Sequence, residues 1–242
     1  RTFSIAPGAE ITIEANPGTL DREKLLEYRK AGVNRLSLGL QSANDRLLRT
    51  LGRIHTYGQF LESFRLAREA GFSNVNVDIM YGLPEQTPED YRQTIEALAA
   101  LAPEHISAYS LILEENTPLY THVNGGGESL PDEDAVYDMH RQGMALLKKL
   151  GYRRYEISNY AKPGCESRHN LNYWNNGEYL GLGLAAHSAM RVEGKWLRWE
   201  NVKRLDDYIE SAARGERPLL GAPQLIPPEE EMFETVMLGL RK

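Results

Sequence analysis

Residues 165–177 read CESRHNLNYWNNG and bring His169, Asn170, Asn172, Tyr173 and Trp174 close together. A neutral imidazole is a metal ligand, and tyrosine and tryptophan rings offer broad apolar faces with one polar edge. Such a segment either recognises something flat and aromatic or forms a polar turn. A second, dispersed set lies where strand-like segments end: Glu14 in ITIEAN, Gln41 in RLSLGLQS and Asp78 in NVNVDIMYGLP, with Arg53 in LGRIH. Two carboxylates, an amide and a cation could act as general acid and base, or could hold ribose hydroxyls and an amino group. The plain structural alternative is that they cap the next helix or solvate a rim.

The elements that must position these residues alternate. ITIEAN (11–16), RLSLGLQS (35–42), NVNVDIMYGLP (74–84) and HISAYSLILEE (105–115) carry strand patterns, with Leu36, Leu38 and Leu40 on one face. Between them DREKLLEYRKAG, NDRLLRTLG and TYGQFLESFRLAREAG have helical spacing, and Thr87-Pro88-Glu89-Asp90 is an N-cap followed by a first-turn proline. Strands separated by helices predict an α/β fold of parallel βα units, either a doubly wound sheet or a whole or partial (β/α) barrel. Both place function at the C-terminal ends of the strands. No Gly-x-Gly-x-x-Gly fingerprint or P-loop follows a strand, and Gly125-Gly126-Gly127 precedes no Lys-Ser or Lys-Thr. The second half differs: one long helix near 133–150, then short strands and aromatic, glycine-rich segments. The expected division is 1–120, part of the barrel, and 121–242, a smaller α+β region. In the latter, Trp196 and Trp199 are read as packing residues and Glu229-Glu230-Glu231 as the solvated start of a last helix.

Bulk composition narrows the classes. The chain has 242 residues, 41% hydrophobic and 26% charged, which is ordinary for a globular protein. A net charge of −6 argues against nucleic-acid binding through a basic face. No apolar run reaches the roughly 18 residues of a membrane span. One cysteine, Cys165, rules out an internal disulfide, so the cytoplasm is the expected compartment. The chain begins at Arg1 without a methionine and ends on an amphipathic stretch, and is expected to be an internal part of a longer protein.

Taken together, TIEANPGTL, LSLGLQS, LGRIH and NVDIMYGLPEQT resemble the radical S-adenosylmethionine (SAM) superfamily. The likeness continues through ISAYSLILEENTPLY, LPDED, YEISNYAKPG and YLGLGLAAHS, and so covers essentially the whole chain. Within the superfamily it points to the branch of oxygen-independent coproporphyrinogen III oxidases and HemW-like haem chaperones. The resemblance implies a partial (β/α) barrel and assigns Glu14, Gln41, Arg53 and Asp78 to SAM. It also implies a [4Fe–4S] cluster on a CxxxCxxC motif, which would lie upstream of Arg1. A single cysteine cannot supply three thiolates, so this stretch by itself is expected not to bind the cluster or cleave SAM.

HNLNYW matches the His-Asn-x-x-Tyr-Trp motif of the chaperone side of that branch. The resemblance therefore implies haem or porphyrin as cargo, with His169 as an iron ligand, Tyr173 and Trp174 as stacking faces, and Arg168 as a propionate partner. A recipient haemoprotein follows, membrane-associated recipients included, and no nucleic acid. His187 competes for the ligand role, whereas His55, His105, His122 and His140 stand in no comparable context. The alternatives are a coproporphyrinogen III oxidase and a SAM-binding module without catalysis.

Overall fold

A computed structural model of the chain describes residues 4–242. The chain folds as two compact units, 1–166 and 167–242.

In the first unit the strands are β1 (Thr12–Ala15), β2 (Arg35–Gln41), β3 (Val75–Tyr81), β4 (His105–Ser110), β5 (Arg153–Arg154) and β6 (Asn159–Ala161). The helices are α1 (Arg22–Lys30), α2 (Asp45–Thr50), α3 (Tyr57–Glu69), α4 (Pro88–Leu101), α5 (Pro118–Asn124) and α6 (Glu133–Lys149). Side-chain caps start them: Asp21 on α1, and reciprocal capping boxes at Thr56–Gln59 and Thr87–Asp90 on α3 and α4. The sheet order is β1-β2-β3-β4-β6-β5, the first four strands parallel and β6 antiparallel to β4. Sequential order distinguishes the two sequence alternatives. A doubly wound sheet reverses direction at a switch point, whereas here every parallel crossover steps the same way, as in a barrel. Among the described residues the sheet stays open, with β1 and β5 as edges.

Alternation along the strands gives the sheet two unlike faces. Leu36, Leu38, Leu40, Val75, Val77, Ile79 and Ile106 are fully buried in one core with Phe60, Phe64, Ile95, Leu98 and Leu147 of the helices. Each such side chain contributes about 1.5–3 kcal/mol on leaving water. The opposite face carries Ser37, Gly39, Asn76, Asp78, His105 and Ser107, aligned by the register Ser37–Asn76–His105 and Gly39–Asp78–Ser107.

The second unit holds α7 (Arg168–Trp174), β7 (His187–Val192), β8 (Lys195–Glu200), α8 (Leu205–Ala213), β9 (Gln224–Ile226) and α9 (Pro228–Gly239). Its antiparallel sheet runs β7-β8-β9. The β7–β8 hairpin turns on Glu193 and Gly194, both at positive φ (51° and 77°), the type I′ geometry that suits strand twist. Its small core is Ala189, Trp196 and Ile226, against Tyr179. Trp196 is thus a packing residue.

The expected boundary near residue 121 differs from the observed one at 166/167. The long helix α6 packs on α4 and β6 hydrogen-bonds antiparallel to β4, so the chain after residue 121 first extends the sheet of the first unit. The helix spacing predicted near 133–150 is found as α6.

Gly143 lets α6 approach α4. A Cβ there would lie 2.6 Å from Tyr91 Cε1, on a buried ring that cannot swing away. We expect Gly143→Val to lower the unfolding free energy by about 1–3 kcal/mol despite valine's better helix propensity. A denaturant midpoint equal to or above that of the parent would contradict this close packing.

Candidate functional site

The polar face of the sheet is organised around Asp78. Tyr155 O–H donates to His105 Nε2 at 2.8 Å, and His105 Nδ1–H donates to Asn76 Oδ1 at 2.6 Å. The tautomer follows from the acceptor: a carboxamide oxygen cannot donate. Burial, with the Arg35 cation nearby, lowers the His105 pKa to about 3, so the ring is neutral. Asn76 Nδ2 then donates to Asp78 Oδ1 and to Ser37 Oγ, both at 2.8 Å, and Ser37 O–H closes on Asp78 Oδ2 at 3.2 Å. Ser107 O–H adds a 3.1 Å bond to Asn76 Oδ1. The protons from Tyr155 onwards point towards the carboxylate, and such aligned bonds polarise one another.

Asp78 nevertheless has a raised pKa. Burial is the main cause, the neighbouring donors, Asn76 first, offset part of it, and the Glu14 carboxylate adds repulsion. The ionised form is therefore held at a cost, as expected of a carboxylate kept ready for a cationic or donor-rich ligand.

Glu14, Gln41 and Arg53 surround the same place. Glu14 is exposed on β1, level with Ser37. Gln41 stands at φ 68° where the β2–β3 register shifts, a conformation that costs a non-glycine residue of order 1 kcal/mol. That bend folds its amide back over Gly39: a Cβ on Gly39 would sit 2.8 Å from Gln41 Nε2 and 4.0 Å from Asn16 Oδ1. Asn16 in turn accepts from Arg53 Nη1 at 3.4 Å. Gly39, the register neighbour of Asp78, thus makes room for the Gln41 amide, beside the Asn16 carboxamide that Arg53 reaches. Sequence reasoning did not identify Asn16, Ser37, Asn76, His105, Ser107 and Tyr155 as part of this site. The signal for Ser37, Asn76 and Ser107 was present, because they are the polar alternates of LSLGL, NVNVD and HISAY.

The HNLNYW segment is a helix rather than a turn: Ser167 caps α7, its Oγ accepting from Asn170 N–H at 3.3 Å. His169 and Tyr173, one turn apart, meet edge-to-face at 4.7 Å between ring centres, and Tyr179 continues the cluster at 4.6 Å. His169 is exposed and Tyr173 half-buried. Trp174 follows Tyr173 by one residue, about 100° round the helix, and its ring lies under the Arg241 guanidinium at 4.1 Å. The motif's two aromatic rings therefore serve different surroundings. His187 lies exposed at the start of β7, with Nε2 3.5 Å from Glu200 Oε1. Cys165 is a free, half-buried thiol whose pKa is raised by burial and by Glu104 and Glu166.

The radical SAM superfamily model matches residues 2–98. The chain is 40% identical to the heme chaperone HemW of Bacillus subtilis over 97% of its own length and 60% of the relative's. It is 44% identical to the heme chaperone HemW of Escherichia coli over 85% of its own length and 54% of the relative's. Among solved structures, coproporphyrinogen III oxidase HemN of Escherichia coli, a radical SAM enzyme, superposes with a TM-score of 0.80 at 25% identity, over 96% of this chain and 55% of that one. The chain thus spans a little over half the length of the proteins it resembles. The domain match over β1–α4, the agreement of the fold with HemN and the identity to HemW along nearly the whole sequence agree with one another: the chain belongs to the radical SAM superfamily, in its HemW-like branch.

Proposed function

We propose that this chain is the part of a cytoplasmic haem chaperone that binds SAM and haem before haem passes to a recipient haemoprotein. The observation that carries the SAM half is the grouping about Gly39, where the Gln41 amide lies over the glycine, Glu14 and Asp78 are close enough to repel, and Arg53 joins through Asn16. SAM presents an ammonium, a sulfonium and two ribose hydroxyls, the cations and donors that paired carboxylates and an amide recognise. Bound there, it would supply a cationic nucleoside to a site whose carboxylate is already oriented by Ser37 and Asn76.

The donor set for a [4Fe–4S] cluster is a different matter. The sequence has one cysteine, and among the described residues no group of three or more His, Cys, Asp or Glu could hold a metal ion. This stretch supplies the SAM pocket, and the cluster's thiolates belong to other residues. The haem half rests on α7: His169 offers an imidazole beside the Tyr173–Tyr179 aromatic cluster, a surface on which a macrocycle can stack. Among the described residues no helix is long and apolar enough to cross a membrane.

Four measurements on the full-length protein, reconstituted anaerobically, test this reading. Asp78→Asn should weaken SAM binding by at least about tenfold, the loss of a charge-assisted contact of ~1.5–3 kcal/mol, as read by calorimetry. The same change should stabilise the ligand-free protein at neutral pH. A carboxyl whose folded pKa is raised binds more protons folded than unfolded. Its penalty is therefore absent below the ordinary value of 3.8, grows as pH rises through the folded pKa, and is removed by the neutral amide. A parallel fall in stability and SAM affinity would show Asp78 to be structural. For haem, a saturable Soret titration that weakens in His169→Ala supports the chaperone. Conversion of coproporphyrinogen III by the parent protein would replace the chaperone reading with the oxidase.

A further inference from the structure

The first unit contains a histidine that its sequence context did not single out. His140 lies on α6 where that helix passes the C-terminal ends of β3 and β4. It lines a cavity of about 370 Å³ with Tyr81, Leu111, Leu130, Val136 and Tyr137. Ser110 and Glu133 are the polar groups at its margin. The ring is fixed from one side: His140 Nδ1 and Tyr81 OH are 3.1 Å apart and their ring centres 5.8 Å apart. Among the described residues, Nε2 has no hydrogen-bond partner. Tyr81 can accept as well as donate. When Nδ1–H donates to its oxygen, the Nε2 lone pair is the one left available, the arrangement found when a hydrogen-bond acceptor behind the ring orients a ligating histidine. Burial and the Arg154 cation lower the His140 pKa, which favours the neutral ring.

The helix continues this face. Tyr137, His140, Arg141, Met144 and Lys148 recur at helical spacing, with His140 bordering the buried stripe of Met139, Gly143 and Leu147. One turn beyond His140 the face opens into a groove of about 590 Å³ lined by Arg141, Met144, Lys148, Arg153 and Arg154, with the edges of Tyr152 and Tyr160. Both volumes lie within the range of small-molecule sites. The groove has four cations in its lining and no acid, in a chain with 34 acidic and 28 basic residues. Arg141 also pairs with Asp138 at 3.3 Å. Arg154 joins the two cavities: its Nη1 is 3.0 Å from Met144 Sδ, and its charge is felt at His140, Tyr81 and Tyr160. An imidazole in an apolar, aromatic cleft beside a basic groove matches an iron porphyrin, whose ring is apolar and whose two propionates are anionic.

We propose that His140 is a haem-iron ligand on the first unit, with Arg154 and its neighbouring cations receiving the propionates. This rests on the haem-chaperone reading and adds to it a second place where the cargo is held. The dative bond forms from neutral Nε2 to iron, so no proton is displaced.

The test is a ferric haem titration of the full-length protein, followed by the Soret band and by electron paramagnetic resonance. His140→Ala should weaken binding at least about tenfold and change the iron's spin-state signature, with added imidazole restoring the parental spectrum. Tyr81→Phe, which removes only the Nδ1 partner and keeps the ring packing, should shift the same spectrum and serves if His140→Ala folds poorly. Arg154→Ala should weaken haem but not haem dimethyl ester, whose propionates are neutral. Parental affinity and spectra in both His140→Ala and Tyr81→Phe would overturn the inference and leave the chaperone reading standing. Absence of saturable haem binding by the parent protein would overturn both.

Discussion

A carboxylate set into a sheet keeps its charge only if donors replace the water it has lost. That requirement, met at Asp78, governs much of the first unit. The bonds running from Tyr155 through His105 and Asn76 to Asp78, with Ser37 closing the other oxygen, demand polar residues at matched heights on neighbouring strands. Matched heights demand a fixed register. A slip of one residue would turn Leu36, Leu38 and Leu40 onto the polar face and Ser37 into the core, so apolar packing on one side and hydrogen bonding on the other enforce the same alignment.

The polar face also sets this fold apart from a closed eight-stranded barrel, whose interior is filled by branched apolar side chains. Serine, glycine, asparagine and aspartate leave room and retain hydrogen-bonding capacity. Gly39 and Gln41 complement one another here. The first removes a side chain from the middle of the floor, and the second accepts an unfavourable backbone angle so that its amide lies over the vacated spot. Strain of this kind concentrates where surrounding structure imposes a geometry for function.

The second unit is built on a different basis. With only Ala189, Trp196 and Ile226 deeply buried in its core cluster, it relies more on polar ties. Arg198 grips Glu234 with two bonds at 3.0 and 2.8 Å, Arg191 pairs with Glu231, and Arg241 covers Trp174. The run 229–231 is therefore only partly the solvated helix start that its composition suggests, since Glu231 is engaged. The two ion pairs, half-buried, tie β7 and β8 to α9, and the Arg241–Trp174 contact ties α7 to the chain after α9.

How far the sequence could be read depended on the range of the interactions concerned. Strand alternation, helix caps and the strands that carry Glu14, Gln41 and Asp78 were legible because each depends on residues a few positions apart, although Asp78 lies within β3 and not at its end. The same alternation marked Ser37, Asn76 and Ser107, although their role needed the strands laid side by side. His105 and Tyr155 are fifty residues apart, and nothing local announces their bond. His140 drew no attention for the same reason: Tyr81 and Arg154 reach it from other elements. The division at 166/167 was missed because β6 returns to β4 across more than fifty residues. By itself, then, the sequence determined the βα alternation, the two-faced strands and the family to which they belong, since periodicity and motif order are properties of the chain. Only the tertiary structure decided which polar residues share a carboxylate, where Gln41 turns and which ring of HNLNYW accompanies His169, because register, backbone strain and helix orientation are set by contacts between segments that do not adjoin in the chain.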